Sequence, residues 1–248
     1  MFDNLKTDKS IQASGDVIGG FSILDSNTYD FTIEMAYIDF SKKTNAMSVN
    51  LHLKGANGEQ LRNQQWVASG DAKGNKNYYI DKKDGKTKHY LPGFTTINDI
   101  CLLAVGKELA EVDMEDKMLK LYDFDAKKEV PVTKKVLTGL LQANITLGII
   151  KETVDKTAIN DQGNYVPTGE TRDQNDIDKA FRFSDSLTTT EVLAEVTEGT
   201  FLAKWMGKNQ FITANRAKGA ATPTGATPMN SNAVASGGAT PSIFAQNA

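Results

Sequence analysis

The alternation of apolar and polar residues predicts that the first third of the chain folds as β-strands. The first strand runs from about Tyr29 to Phe40, and the second covers Met47 to Leu53. The turn-forming run Gly55–Gly58 then leads to a third strand, from about Glu59 to Ala68. In the first strand, the alternation assigns one face to Phe31, Ile33, Met35 and Tyr37. Three consecutive strands joined by short turns predict an antiparallel meander.

A change of period after Pro92 predicts a helix. Apolar residues there recur at every third or fourth position, at Ile97, Ile100, Leu103, Ala104 and Leu109. This spacing predicts a helix from about Thr96 to Glu111, with Asn98, Thr95 or Thr96 as the candidate N-cap. Its apolar face is expected to pack against the strands.

The second half of the chain is predicted to contain further strands and long loops. Short strands are expected within residues 117–137, where Pro131 would confine one strand to a sheet edge. Residues 140–154 alternate and are rich in β-branched side chains, which predicts a long strand. Residues 155–178 are rich in Asn, Asp, Gly and Thr and predict a long loop. The stretch from Leu202 to Arg216 is aromatic and basic.

Together these elements predict a mainly β fold with one or two helices. The strands follow one another and do not alternate regularly with helices, which argues against a doubly wound α/β fold. A three-strand meander, a helix and a closing hairpin form the plan of the OB-fold, so we expect an OB-fold-like small β-barrel with long loops. Other small barrels and sandwiches produce the same periodicity.

The composition changes at residue 219. Within residues 219–248, Ala, Thr, Gly, Pro, Ser and Asn supply 25 of the 30 residues, and none is charged. Ile243 and Phe244 form the only large apolar pair in this segment, which has too few such groups to offset the entropy of ordering it. We therefore expect a disordered C-terminal tail at 219–248, a flexible N-terminal arm at 1–18 and one folded domain at 19–218. The tail could attract partner proteins or have no function.

Charge and cysteine content narrow the class of protein. The 248-residue chain has a net charge of -3, which excludes a strongly basic protein surface but not a local basic patch. Cys101 is the only cysteine, and His52 and His89 are the only histidines, so neither an intramolecular disulfide nor a Cys/His zinc cluster is expected. Residues 1–10 lack the pattern of a signal peptide, and no apolar run approaches the length of a membrane helix. We expect a cytoplasmic protein without membrane contact.

No catalytic motif emerges from the sequence. Gly85, Lys86 and Thr87 match the end of a phosphate-binding loop, but Ile80 stands where the first glycine is needed. Carboxylates cluster at residues 108–116 without the glycine of a calcium loop, as in a solvated helix end. A nuclease would need such a cluster to hold a metal, and this remains an alternative. The expectation is a non-enzymatic protein without cofactor or metal.

The segment from Lys73 to Tyr90 combines positive charge with aromatic rings. Six lysines and two aspartates give it a local net charge of +4. Mobile cations suit phosphates, and flat rings stack on unpaired bases whatever the base sequence, so the pattern favours single-stranded nucleic acid. A second basic and aromatic group lies in residues 204–216. The predicted contacts are Lys73, Lys76, Lys82, Lys86, Lys88, Lys204 and Lys208, and the predicted stacking faces are Trp66, Tyr78, Tyr79, Tyr90 and Trp205.

Two other interpretations of this pattern stay open. Tyrosines packed at strand ends beside solvated lysines would produce the same run of residues. A structural or assembly protein of a virion, with residues 219–248 as a docking arm, would need no affinity for nucleic acid. The two are distinguished from the leading hypothesis by whether single strands bind.

The runs Asn77–Phe94 and Ile97–Leu109 resemble bacteriophage single-stranded DNA-binding proteins, and the segments Gly19–Asp39 and Lys204–Asn209 are similar too. The resemblance implies an OB-fold that coats phage DNA during replication and recombination in the host cytoplasm, with self-association on DNA. It also implies a C-terminal tail that contacts replication or transcription proteins. Many such tails are acidic, whereas residues 219–248 are uncharged, so acidic self-inhibition is not expected here.

Overall fold

The computed structural model describes residues 22–123, 126–162 and 164–218, which form ten strands and three α-helices. The predicted arm at 1–18 and the predicted tail at 219–248 lie outside these ranges. The strands are β1 Asn27–Phe40, β2 Met47–Gly55, β3 Gln60–Trp66, β4 Tyr78–Ile80, β5 Lys88–Tyr90, β6 Glu115–Asp123, β7 Lys128–Val136, β8 Asn144–Ile159, β9 Tyr165–Phe181 and β10 Thr213–Asn215. The helices are α1 Pro92–Val105, α2 Thr189–Leu193 and α3 Phe201–Asn209. The prediction of a mainly β chain is confirmed, but the described residues form three α-helices where one or two were predicted.

One large sheet carries the fold. Its strands lie in the order β9, β8, β1, β2, β3, and each of these neighbours is antiparallel. β7 joins β1 through the pair Tyr37 and Val136, and β6 pairs with β7 as a hairpin. β10 adds a parallel pairing, alongside residues 151–153 of β8. β4 and β5 form a separate two-stranded hairpin.

The expected closed barrel is wrong, because the sheet is open between β3 and β9. In the part of the chain that the structure describes, no backbone ladder joins these two edge strands. Side chains join them instead. The amides of Asn63 and Gln65 donate to Oδ1 of Asp176 over 3.3 and 3.1 Å, and the same oxygen accepts from the backbone N–H of Ile177 at 2.9 Å. We call this join the β3–β9 seam.

Helix α1 covers one end of the sheet and completes the core. Ile97, Ile100, Cys101 and Leu103 are buried on it, as its spacing predicts. The helix begins at Pro92, four residues earlier than predicted, because proline at the first position needs no N–H partner. It ends before Gly106, whose φ of +69 suits a left-handed cap. The sheet contributes the remaining large core residues, among them Phe31, Ile33, Val49, Leu51, Ile145, Leu147 and Ile149.

A register irregularity in β1 changes which face two predicted core residues occupy. The pairing with β2 shifts between Ile33 and Met35, so that Ala36 is buried in the core. Met35 and Tyr37 therefore do not continue the face of Phe31 and Ile33. Tyr37 lies against His52 instead, with ring centroids 5.8 Å apart.

The predicted loop at 155–178 is wrong. Most of it forms the outer parts of β8 and β9, which extend together as an antiparallel arm. Exposed cross-strand pairs stabilise the arm, including Lys156 with Glu170 at 2.9 Å. Nζ of Lys43, in the β1–β2 loop, lies 3.4 Å from Oδ1 of Asn164 near the turn of the arm. The arm folds back toward that loop, although β8 leaves the sheet at the opposite end of β1.

None of the helices within the described ranges is both long enough and apolar enough to cross a membrane.

Candidate nucleic-acid interface

The β4–β5 hairpin presents the basic and aromatic segment that the sequence singles out. Its tight turn is built around Asp84, whose side chain accepts the backbone N–H groups of Lys86 and Thr87 at 2.9 Å and the hydroxyl of Thr87. These bonds lower the pKa of Asp84 to about 2. Gly85 takes a φ of +65, which side chains disfavour. The carboxylate of Asp84 is thus engaged by the turn, and the neighbouring lysines point to solvent.

Tyr78 and Tyr90 share one face of the hairpin, and Tyr79 lies on the other. Tyr78 lies directly opposite Tyr90, and Tyr79 lies opposite His89. Two lysines cover the ring of Tyr78, since Nζ of Lys88 is 4.8 Å and Nζ of Lys76 is 5.6 Å from its centroid. Tyr78 is accordingly half-buried and offers less free ring surface than its neighbours.

Tyr79 and Tyr90 keep exposed rings. Their exposed fractions are 49% and 63%. Tyr79 packs beside His89 with ring centroids 5.5 Å apart, and Tyr90 packs on Phe94 of α1 at 5.1 Å. Each ring is therefore held in place by a second ring behind it while part of its surface stays open. That is the arrangement a stacking platform requires.

A cavity of about 460 Å³ lies between this hairpin, α1 and β9. Tyr79, His89 and Tyr90 line one side, and Asp99 and Lys179 line the other. Nζ of Lys179 is 3.7 Å from a carboxylate oxygen of Asp99. The cavity combines aromatic walls with the cation of Lys179 and the carboxylates of Asp99 and Asp178, and it has room for a flat ring.

The predicted lysines of the first group lie on the hairpin and on the segment that leads into it. Lys73, Lys76, Lys82, Lys86 and Lys88 are all exposed. None of them forms an ion pair with another residue in the described ranges. Trp66 ends β3 with 45% of its surface exposed, and its backbone lies against Gly93 at the start of α1. The structure thus brings Trp66 close to the base of the hairpin.

The second predicted group needs a correction, because Trp205 is only 4% exposed. Its ring packs edge-on against Phe181 at 6.4 Å, and its Nε1 donates to Oδ2 of Asp178 at 2.6 Å. It fills space above Gly148, where even a methyl group would lie 2.8 Å from the indole. A ring enclosed in this way offers no face for a base. Lys204 and Lys208 do lie exposed on α3, as predicted for phosphate contacts.

Two residues that sequence reasoning missed connect the groups. Phe201, at the start of α3, is 40% exposed, and Nζ of Lys179 lies 5.7 Å from its ring centroid. Lys179 thereby links Phe201 to the aromatic cavity, where it also lines the wall. Its position could not be read from the sequence, since it falls where β9 enters the core, next to the segment predicted as a loop.

A second groove, of about 640 Å³, runs along the β3–β9 seam. Its walls are rich in amides, and Arg62 and Arg172 face it from opposite strands. The carboxamide of Asn175 anchors the chain at the groove's mouth by accepting from the N–H and donating to the carbonyl of Leu24, both at 2.8 Å. Nearby, burial and the charge of Arg62 lower the pKa of His52, so that its ring is neutral at pH 7. This groove could not be predicted from the sequence, because the β9 strand that forms one wall falls in the segment predicted as a loop.

The residues considered for enzymatic chemistry have structural roles. Glu108 and Glu111 cap a short 3-10 turn reciprocally, and Lys107 binds Asp113 at 2.9 Å. Among the described residues, no group of three or more His, Cys, Asp or Glu side chains is arranged to hold a metal ion. Burial raises the pKa of the Cys101 thiol to about 12, which makes it a poor nucleophile.

Comparison of the chain with protein-family models and with curated proteins finds no match.

Proposed function

We propose that this protein binds single-stranded DNA without regard to sequence, through the β4–β5 hairpin and the aromatic cavity behind it. One observation carries the proposal. Tyr79 and Tyr90 hold partly open rings on a segment that also carries five exposed lysines, none of which forms an ion pair in the described ranges. A single strand offers complementary chemistry, since its phosphates need cations and its unpaired bases need flat apolar surfaces.

In this proposal the lysines and the tyrosines of the hairpin have different roles. Lysines at its turn and flanks contact phosphates, and Tyr79 and Tyr90 stack on bases. Phe201 offers a further ring on the α3 side of the cavity, and Lys204 and Lys208 extend the positive surface along that helix. No array of fixed donors and acceptors is needed, because stacking is largely independent of base identity.

The order of the strands supports the proposal. The path β9, β8, β1, β2, β3, with a helix after the third strand, follows the OB plan in a sheet left open at the β3–β9 seam. The resemblance to phage single-stranded DNA-binding proteins adds the biological setting. In that setting the protein coats DNA during phage replication and recombination in the host cytoplasm, without catalysis, and residues 219–248 contact replication or transcription proteins.

The proposal is tested by titrating the protein with oligo-dT and with duplex DNA of equal length at several salt concentrations. Trp66 lies beside the hairpin and is partly exposed, so its fluorescence should be quenched as a strand binds, whereas buried Trp205 should respond little. We expect saturable quenching by oligo-dT, weaker with duplex and weakening as salt rises. No quenching at low salt, together with a blank mobility-shift assay, would overturn the proposal and favour the virion-assembly alternative.

A further inference from the structure

An apolar cavity of about 360 Å³ opens between the edge of the core and the start of α1, where Phe94 forms part of its wall. Its accessible lining is apolar throughout, and Ile38, Met47, Phe94, Leu109 and Met114 contribute to it. Each of these side chains packs on the core but is only partly buried. A concave surface of this composition, open to water, is typical of a site that receives an apolar group.

Residues 219–248 contain a group that fits. Their only adjacent pair of large apolar side chains is Ile243 and Phe244, set within a segment that carries no charge. Docking this pair therefore desolvates no ionised group. We propose that Ile243 and Phe244 of the same chain bind in this cavity.

The spacing along the chain favours the same molecule over a second copy. The last described residue is Lys218, and 24 residues separate it from Ile243. A random-coil linker of that length would span about 25–30 Å on average. A folded domain of about 200 residues has a radius of gyration of about 16 Å, so the pair reaches most of its surface. Tethering also raises the local concentration of the pair to the millimolar range, far above that of a second molecule in dilute solution.

The cavity shares a wall with the candidate interface. Phe94 lines the cavity and stacks on Tyr90, and Leu91 between them is fixed by a 2.8 Å bond from its N–H to the carbonyl of Asn77. An occupied cavity would hold Phe94 in place and with it the ring of Tyr90. This consequence rests on the proposed function, whereas the docking itself does not.

The test places a nitroxide on the tail and reads methionine methyl groups by NMR. Cys101 is buried, so the label on an Ala245→Cys variant attaches there alone. Docking should broaden the 13C-methyl signals of Met47 and Met114, which line the cavity, far more than that of Met206 on α3. Adding Phe244→Ala should abolish the difference, and Val234→Ala, an apolar truncation elsewhere in the tail, should leave it intact. Ala110→Trp, which fills the cavity from its rim, should also abolish it.

The remaining outcomes contradict the proposal. Equal broadening of Met47, Met114 and Met206 would mean that the tail samples the surface without docking. Selective broadening that persists undiminished in Phe244→Ala would remove Phe244 from the site. Broadening seen only when nitroxide-labelled chains are mixed with separate 13C-labelled chains would assign the cavity to a second copy. None of these readings depends on DNA, so failure here and failure of the proposed function are separate results.

Discussion

The β4–β5 hairpin and the α3–β10 segment have similar residues, but their aromatic rings differ in exposure to solvent. Both are rich in lysine and aromatic side chains. In the hairpin, Tyr79 and Tyr90 keep about half or more of their surface in solvent, while Trp205 on α3 is almost fully enclosed. The lysines of both segments are exposed, so charge alone does not distinguish them.

The difference lies in what each backbone can bury. Neither three-residue strand of the hairpin contains a buried residue. The ring of Tyr79 therefore packs on His89, and that of Tyr90 packs on Phe94 of α1. Helix α3 has an apolar side, on which Leu202, Trp205 and Met206 cluster against Phe181. A glycine at position 148 gives the indole the space to enter. A local count of aromatic and basic residues therefore does not predict a stacking surface without the secondary structure that carries it.

The largest expected effect concerns Trp205. Trp205→Ala removes a buried ring and leaves Asp178 without its indole donor, so we expect a loss of about 3–5 kcal/mol in the free energy of unfolding. Trp66→Ala, at a half-exposed site, should cost about 1 kcal/mol or less. Urea denaturation followed by far-UV circular dichroism measures both. Equal losses would contradict the contrast between the two regions.

Gly148 provides a second test of the same packing. A Cβ at this position would lie 2.8 Å from the Trp205 ring, so Gly148→Ala should destabilise the protein by about 1–3 kcal/mol. Gly207→Ala on α3 is the matched control, because nothing lies within 4 Å of the added methyl. Helix propensity should make this control neutral or stabilising by about 0.5–1 kcal/mol. Thermal unfolding of the two variants would show a shift of opposite sign, and a stable Gly148→Ala would place Trp205 elsewhere.

For binding, the sharpest contrast lies within the hairpin itself. Tyr90→Ala should weaken oligo-dT binding by about 1–3 kcal/mol if its ring stacks on a base. Tyr78→Ala, directly across the ladder but already covered by two lysines, should cost less than half as much. Fluorescence titration at fixed salt separates them. A larger loss from Tyr78→Ala than from Tyr90→Ala would contradict Tyr90 as the main stacking ring.

Salt dependence tests the role of the lysines. Each lost phosphate contact lowers the slope of log affinity against log salt by about 0.7 for a single strand, so Lys82→Ala with Lys86→Ala should lower it by about 1.4. The control replaces Lys117 and Lys135, which pair with Glu115 and Asp116 on the β6–β7 hairpin. The control double variant should keep the slope of the natural protein. An unchanged slope in the Lys82/Lys86 variant would exclude these residues from phosphate contact.

The smallest effect is a pH dependence at the start of α3. Glu191 accepts backbone N–H groups of Thr188, Thr200 and Phe201, which lowers its pKa to about 2. Because the folded pKa lies below the unfolded one, its stabilising contribution is complete above about pH 4.5 and is lost as the pH falls toward 2. Glu191→Gln should therefore cost about 1 kcal/mol or less at pH 7, given its exposure to solvent, and almost nothing near pH 2. Urea midpoints at both pH values, with Glu195→Gln as a control, measure this; a cost that did not shrink in acid would contradict it.

The sequence predicted elements well where one face is buried. In β2, Val49, Leu51 and Leu53 alternate and are all in the core. Of the positions that the spacing of α1 marks, Ile97, Ile100 and Leu103 are buried on the helix, whereas Ala104 is partly buried and Leu109 lies beyond its end. The prediction failed for the β8–β9 arm because both faces of the arm meet water, so alternation has no reason to appear. It failed at Met35 because a register shift moves two residues to the other face, a tertiary event that no local pattern encodes. In the candidate site, the exposed lysines follow from their charge, while Lys179 and Phe201 depend on strands and helices meeting across the fold.

The β3–β9 seam has a consequence for how this protein can change over generations. Strand pairing by backbone hydrogen bonds survives most substitutions, whereas the seam depends on the side chains at positions 63, 65 and 176. A single substitution at one of these positions is enough to weaken the seam, and a different substitution is enough to strengthen it, without moving any strand. Substitutions at these positions would therefore change the width of the adjoining groove while the strand pairings on either side of it stay as they are.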